Sequence, residues 1–227
     1  MIGGLSWVST AEYYKRINEM TQEARGGVHS AELILQSVDR QHYVDAVIER
    51  QDEDAACEII LHAAKAIERG GAEFIVISCN DVHRFVPRVA SQISIPFLHI
   101  ADTTGCAVQA AGLTTVALLG VRKTMEEPFY PDVLKNHGIT TIIPDEGEKT
   151  YIHDKIYDEL VRDVFTEETR TGYLSIMCDL TDRGAEGVIL GCTEIPLLIR
   201  PCDTDIATFS TTETHCRAAV NMALDDS

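Results

Sequence analysis

GAEFIVISCND at residues 71–81 and GAEGVILGCTE at residues 184–194 share one pattern, and the reading of the fold starts from it. Each follows a helical stretch that runs into Arg-Gly, at Arg69-Gly70 and at Arg183-Gly184. Each passes through a glycine turn and a short apolar run, then reaches a cysteine followed by a polar pair, Asn80-Asp81 or Thr193-Glu194. Cys192 stands 113 residues after Cys79, so the second half of the chain is read as a repeat of the first.

Working outward, short runs rich in β-branched residues at 73–78, 115–119 and 187–190 alternate with helical patterns at 52–69, 155–165 and 174–183. In the first of these patterns Ala56, Ile59, Ile60, Ala63 and Ile67 recur at helical spacing, with Glu53, Glu58 and Glu68 elsewhere, which predicts a crossover helix packed on a sheet. Strand and helix in alternation predict an α/β fold. With the repeat, this becomes two similar doubly wound domains, each with a mainly parallel four-stranded sheet, related by pseudo-twofold symmetry. The expected boundaries are 1–97 plus 212–227 for the N-terminal domain and 98–211 for the C-terminal one. One strand is unaccounted for. The second half has residues 113–119 before Gly120, whereas only Met1 and Ile2 precede Gly3-Gly4. Either the chain begins late, or the first domain is stabilised without its opening strand.

The 227 residues carry a formal charge of -17 and are 45% hydrophobic. That is enough apolar material for a sizeable core. The negative balance repels nucleic acid and anionic membrane, so any anion site has to be built locally. No apolar stretch approaches the roughly 18–20 residues of a membrane span, and MIGGLSW lacks the features of a signal peptide; a soluble cytoplasmic protein is expected. Seven cysteines without a CxxC pair argue against a disulfide framework or a zinc ribbon. Cys57, Cys106, Cys178, Cys202 and Cys216 are read as small core hydrophobes.

Cys79 and Cys192 are read differently, because ligands of doubly wound folds bind at the carboxyl ends of strands, where both are placed. Backbone N–H groups in the turn of helix after each would hold a carboxylate and favour a thiolate. Racemising an amino acid requires a base on one face of Cα and an acid on the other. A thiolate and a thiol fit, since each becomes the other by one proton transfer. The Asn80 amide and the Thr193 hydroxyl are placed to stabilise charge on the α-carboxylate. No glycine-rich phosphate loop is present, and no cofactor or metal is called. His83, four residues after Cys79, is read as an orienting or surface histidine, and Asp39-Arg40 as a turn pair or a substrate clamp.

These stretches, with GGLSWVSTAEYY at 3–14, SCNDVH at 78–83 and GVILGCTEIPLL at 187–198, resemble the aspartate/glutamate racemase family. HSAELILQSVD, IPFLHIADTT, LLGVRKTMEEPFY and STTETHCRAAV extend the likeness over nearly the whole chain, nearest to the bacterial GG-x-SW-x-ST branch. The resemblance implies a two-domain α/β fold, no pyridoxal phosphate, an active site between the domains and frequent homodimers. It implies Cys79 and Cys192 as the catalytic pair, and Asn80 and Thr193 as holders of the α-carboxylate. Ser6, Trp7 and Ser9 match the glycine-rich entry loop, and Thr124 a hydroxyl near the substrate. Asp81, Glu194 and Arg40 complete the substrate-binding set. Asp81 stands where the family usually has threonine, and the lysine that archaeal relatives use for the distal carboxylate falls at Val161, leaving Arg40 or Arg162 for that task. The implied reaction interconverts L- and D-aspartate, or glutamate. The alternatives are a reaction of the maleate isomerase or arylmalonate decarboxylase kind, or an impaired paralogue that binds a small acid, suggested by Asp81 and the absent strand.

Overall fold

A computed structural model describes residues 1–225. The chain divides into two compact units, Met1–His99 with Cys216–Ser227, and Ile100–His215.

The first unit opens with a two-residue strand, β1 (Ile2–Gly3), and helix α1 (Trp7–Arg25). β2 (Gln36–Ser37) leads into α2 (Arg40–Val44), which continues as a π-helical turn over Asp45–Glu49. α3 (Glu53–Arg69) starts where the Asp52 side chain accepts a hydrogen bond from the Ala55 N–H, with Glu53 and Asp54 in its first turn and Arg69 in its last. These charges suit the ends of the helix dipole. Residues 75–77 follow as isolated bridges, then a 3-10 turn, Asp81–Phe85, and α4 (Val86–Ala90).

The opening strand expected to be missing is therefore present as a stub. β1 pairs in parallel with β2 on one side and bridges Ile77 on the other, while Ile75 bridges Phe97. The spatial order is β2, β1, the 75–77 segment, then Phe97, all parallel.

The second unit runs α5 (Ile100–Ala110), β3 (Thr115–Leu119), α6 (Arg122–Glu126), α7 (Phe129–Asn136), β4 (Thr140–Ile142), α8 (Glu146–Asp158), a 3-10 turn at Leu160–Arg162, and α9 (Glu167–Asp182). It continues through β5 (Val188–Leu190), α10 (Ile195–Leu198) and β6 (Thr208–Ser210) into α11 (Thr211–Asp225), whose later turns belong to the first unit. Its sheet is parallel in the order β4-β3-β5-β6. Counted along each unit, the two-stranded sheet and two isolated bridges of the first follow the order 2-1-3-4 of the second unit's four-stranded sheet, so the symmetry read from two short motifs is visible in part.

Alternation along the strands places helices on both faces. Val116, Leu118 and Ile189 pack with α5 and α7 through Ile100, Val108, Tyr130 and Leu134. Ala117, Leu119, Val188 and Leu190 face the other way, onto Ile152, Tyr173, Met177 and Leu180 of α8 and α9. In the first unit Ile2, Ile75 and Ile77 pack on α3, while Val76 faces Tyr13, Ile17, Cys216 and Val220 of α1 and α11. A period of two that feeds two separate clusters is the mark of a strand buried on both faces.

Two expectations are corrected. The helix predicted at 155–165 is α8, which ends at Asp158; Asp163 takes a left-handed φ of 64°, which closes the following turn. The five cysteines read as core residues also divide. Cys57 and Cys216 are buried, but Cys106, Cys178 and Cys202 are exposed.

Among the described residues, no helix is long and apolar enough to cross a membrane. α8 begins with a capping box, in which Asp145 Oδ1 accepts from the Glu148 N–H at 2.9 Å and Glu148 Oε2 accepts from the Asp145 N–H at 2.7 Å. Asp145→Ala should cost about 1 kcal/mol, read in a thermal melt as a fall of roughly 2–4 °C for a chain of this size.

Candidate active site

The two cysteine motifs build the same local device. Along 78–81 and along 191–194 the burial runs alike, with the cysteine half-buried between residues that are buried. Cys79 Sγ donates to Asp81 Oδ1 at 3.0 Å, and Cys192 Sγ donates to Glu194 Oε2 at 3.0 Å. Each strand-end thiol is thus oriented by a carboxylate two residues on, and in each triplet the cysteine is the residue left partly open to solvent.

In the second unit the thiol is fixed by close backbone approach. A Cβ on Gly191 would lie 2.6 Å from the Leu119 carbonyl oxygen, so glycine alone lets the ends of β3 and β5 press together just before Cys192. Thr193 Oγ1 donates to the same Glu194 Oε2 at 3.0 Å. Glu194 Oε1 and Thr124 Oγ1 are buried and have no hydrogen-bond partner among the described residues. A buried polar atom without a partner costs free energy unless something supplies one, so both are candidate ligand contacts. Thr124 Cγ2 lies 3.4 Å from where a Gly191 Cβ would be, which places this side chain beside the strand end that carries Cys192. Behind them Tyr173 is fully buried and donates to the Ile152 carbonyl at 3.0 Å. Burial pushes its phenol well above its ordinary value, and the neighbouring Cys192 adds to the rise, so it stays neutral.

In the first unit the carboxylate beside the thiol is paired within the fold. Asp81 Oδ2 accepts from Arg84 Nη1 at 2.7 Å and from the Tyr43 hydroxyl at 3.0 Å, and Arg84 Nη2 also donates to Glu53 Oε2 at 3.0 Å. The Arg84 side chain is 7% exposed. Burial works against its charge, but Asp81, Tyr43 and Glu53 more than offset this and hold the guanidinium above its ordinary value. Burial, reinforced by Asp81, likewise holds the Tyr43 phenol well above the usual range. Arg84 and Tyr43 are site residues that sequence reading did not single out. The spacing of Asp81 and Arg84, three apart in a turn, was the available signal.

The other expected residues are placed as follows. Asn80 is buried at the start of the 3-10 turn. Ser6 caps α1 by accepting from the Ser9 N–H at 3.5 Å. Trp7 is 66% exposed. The Ser9 hydroxyl is buried, with the Ser6 and Ser78 carbonyl oxygens at 3.1 and 3.2 Å, so it ties the entry loop to the strand that carries Cys79. Arg40 Nη1 donates to the Leu5 carbonyl, which joins α2 to the same loop. His83 is fully buried; its Nδ1–H donates to the Cys79 carbonyl at 2.7 Å, so it orients the cysteine backbone and is not on the surface. The helices expected after each cysteine are a five-residue 3-10 turn and the four-residue α10. Few peptide dipoles line up in elements so short, so the side-chain carboxylates contribute the stronger local field.

Comparison with known proteins places the fold and the family. Residues 2–219 match the family described as Asp/Glu/Hydantoin racemase. A crystal structure of a candidate Asp/Glu racemase from Yersinia pestis superposes with a TM-score of 0.89 at 37% identity, covering 98% of this chain and 97% of that one. An aspartate racemase homologue from Pyrococcus horikoshii OT3 gives 0.84 at 30% identity, with 98% and 97% covered. The broad specificity amino-acid racemase RacX of Bacillus subtilis (strain 168) is 20% identical, over 99% of this chain and 97% of its own length. From its first strand to its last helix, the chain belongs to the Asp/Glu/hydantoin racemase family of isomerases.

Proposed function

We propose that this protein interconverts the L and D enantiomers of aspartate or glutamate, with Cys79 and Cys192 as the two acid/base groups. The observation that carries the proposal is the repeated thiol–carboxylate pair, Cys79 with Asp81 and Cys192 with Glu194, at 3.0 Å in both halves. One such pair would serve a nucleophilic or one-way protonation mechanism. Two matched pairs serve a reaction that runs in both directions with the same energetics.

In the forward step the thiolate of one cysteine takes the Cα proton, and the Cα–H bond pair passes into the substrate carboxylate. The thiol of the other cysteine then gives its proton to the opposite face. No proton is gained or lost overall, and the two sulfurs exchange protonation states with each turnover. Asp81 and Glu194 keep each S–H aimed, and a thiol proton handed to the carboxylate leaves the thiolate this chemistry needs. The Asn80 amide and the Thr124 hydroxyl supply donors to the α-carboxylate, where charge builds up as the proton leaves, and Thr193 joins them only if its hydroxyl turns away from Glu194. Two observations favour an active enzyme over an impaired relative: Asp81 is paired with Arg84 and Tyr43, and a short first strand, Ile2–Gly3, pairs with Gln36–Ser37.

Incubation of L-aspartate or L-glutamate with the protein in D2O should yield the D enantiomer carrying deuterium at Cα, followed by NMR and chiral chromatography. If neither acid, nor any other amino acid offered, acquires solvent deuterium at Cα, the proposed chemistry is wrong.

A further inference from the structure

We infer that the second unit carries a divalent metal site on its surface, built from Asp102 and Cys106 of α5 and His137 at the end of α7, and suited to Zn²⁺ or a similar borderline-soft ion. Among the described residues, these are the one set of three His, Cys, Asp or Glu side chains whose ligating atoms all lie within 4.8 Å of one another. Asp102 and Cys106 are one helical turn apart and so share a face of α5.

The histidine shows why proximity here means more than chance. The Gln109 amide nitrogen donates to the His137 carbonyl at 2.7 Å, which fixes the amide so that its oxygen meets His137 Nδ1 at 3.1 Å. Nδ1 must therefore carry the ring proton. Yet Nε2 faces Asp102 Oδ1 at 2.7 Å, another acceptor. A neutral imidazole has one N–H and cannot satisfy both, so Nε2 calls for a second proton or a metal cation. Holding the remote ring nitrogen with a fixed acceptor is how proteins orient a metal-binding imidazole. The seat for the ring is also built into the helix. A Cβ on Gly105 would lie 2.6 Å from His137 Cδ2, so glycine inside α5, unfavourable there by about 1 kcal/mol relative to alanine, makes the room the imidazole occupies.

Thiolate, imidazole and carboxylate form a three-ligand set that leaves the fourth tetrahedral position to water, and the formal charge of -17 raises the local concentration of cations. The ion would pin α5 to the end of α7.

The test uses the full chain, stripped with chelator and titrated with Co²⁺ and then Zn²⁺. One equivalent of Co²⁺ should produce a near-ultraviolet thiolate-to-cobalt band that Zn²⁺ displaces, and Zn²⁺ should raise the melting temperature. Cys106→Ser and His137→Gln should each abolish the band and the thermal shift, and Gln109→Ala should weaken binding by about 10–100-fold. The band should persist in Cys79→Ser and in Cys192→Ser. Absence of the band at one equivalent, its survival in Cys106→Ser, or its loss in either active-site variant would each overturn the assignment. No racemase assay enters, so the result stands apart from the proposed reaction.

Discussion

Serine in place of Cys192, or of Cys79, should lower racemisation by about 10²–10⁴-fold, the usual contribution of one positioned acid/base group. The substitution is close to isosteric, and the hydroxyl still reaches the carboxylate that holds the native thiol, Asp81 or Glu194. What changes is acidity. A free thiol titrates near about 8.5, within reach of neutral pH, whereas an aliphatic hydroxyl does not. Both cysteines are half-buried, so a serine hydroxyl leaves no large cavity and no newly buried orphan. Circular dichroism and melting temperature should stay close to those of the wild type, which separates lost chemistry from lost fold. Cys178→Ser and Cys202→Ser alter exposed residues and should leave the rate unchanged.

The largest loss of stability is expected from Arg84→Met. Arg84 forms an ion pair with Asp81, and both side chains are nearly buried, 7% and 11% exposed. Removing one member of such a pair leaves the other charge buried and costs about 3–5 kcal/mol. Glu53 also loses a partner but is 41% exposed, so water takes over there and it adds little. The double variant Asp81→Asn/Arg84→Met should recover much of the loss, because the orphaned charge is then gone. Urea unfolding of the two single variants and the double variant gives the coupling. If Arg84→Met melts like the wild type, the network does not hold Asp81 as described. The same network accounts for Asp81 beside Cys79: Tyr43 and Arg84 make of its carboxylate a paired, fixed acceptor for the Cys79 thiol.

What could be read from the sequence divides along physical lines. β3 appears at 115–119 as predicted, because a continuous run of buried β-branched and aliphatic residues has few other ways to fold. α3 likewise begins after its predicted start at Asp52, where an N-cap acid and a regular apolar stripe coincide. The strand predicted at 73–78 shrinks to bridges at Ile75 and Ile77, since its neighbour β1 is only two residues long and offers little to pair with. The helix predicted across 155–165 breaks at Glu159, whose φ of -120° and ψ of -67° leave the helical region, and the 3-10 turn that follows ends at Asp163 in a left-handed backbone that aspartate tolerates better than most residues. Residue type alone puts Cys178 in the core, but Tyr173, Ile176, Met177 and Leu180 form the buried stripe of α9 and exclude it.

At the candidate site, the cysteines and their polar neighbours were legible because they sit in contiguous motifs. Tyr43 and Glu53 were not. They lie 38 and 31 residues from the groups they bind, a relation that only the fold creates. The capping role of Ser6 and the tethering role of Ser9 were hidden for a related reason, since a hydroxyl near a site serves substrate or backbone with equal ease.

The central claim is that two thiols act on opposite faces of one carbon, and exchange of the Cα proton tests it without requiring full inversion. Wash-out of that proton into D2O should be followed by NMR for each enantiomer separately, in Cys79→Ser and in Cys192→Ser. The account predicts mirror-image behaviour, one variant losing exchange mainly from the L enantiomer and the other mainly from the D. Equal exchange from both enantiomers in both variants, at the rate of the unmodified protein, would contradict it.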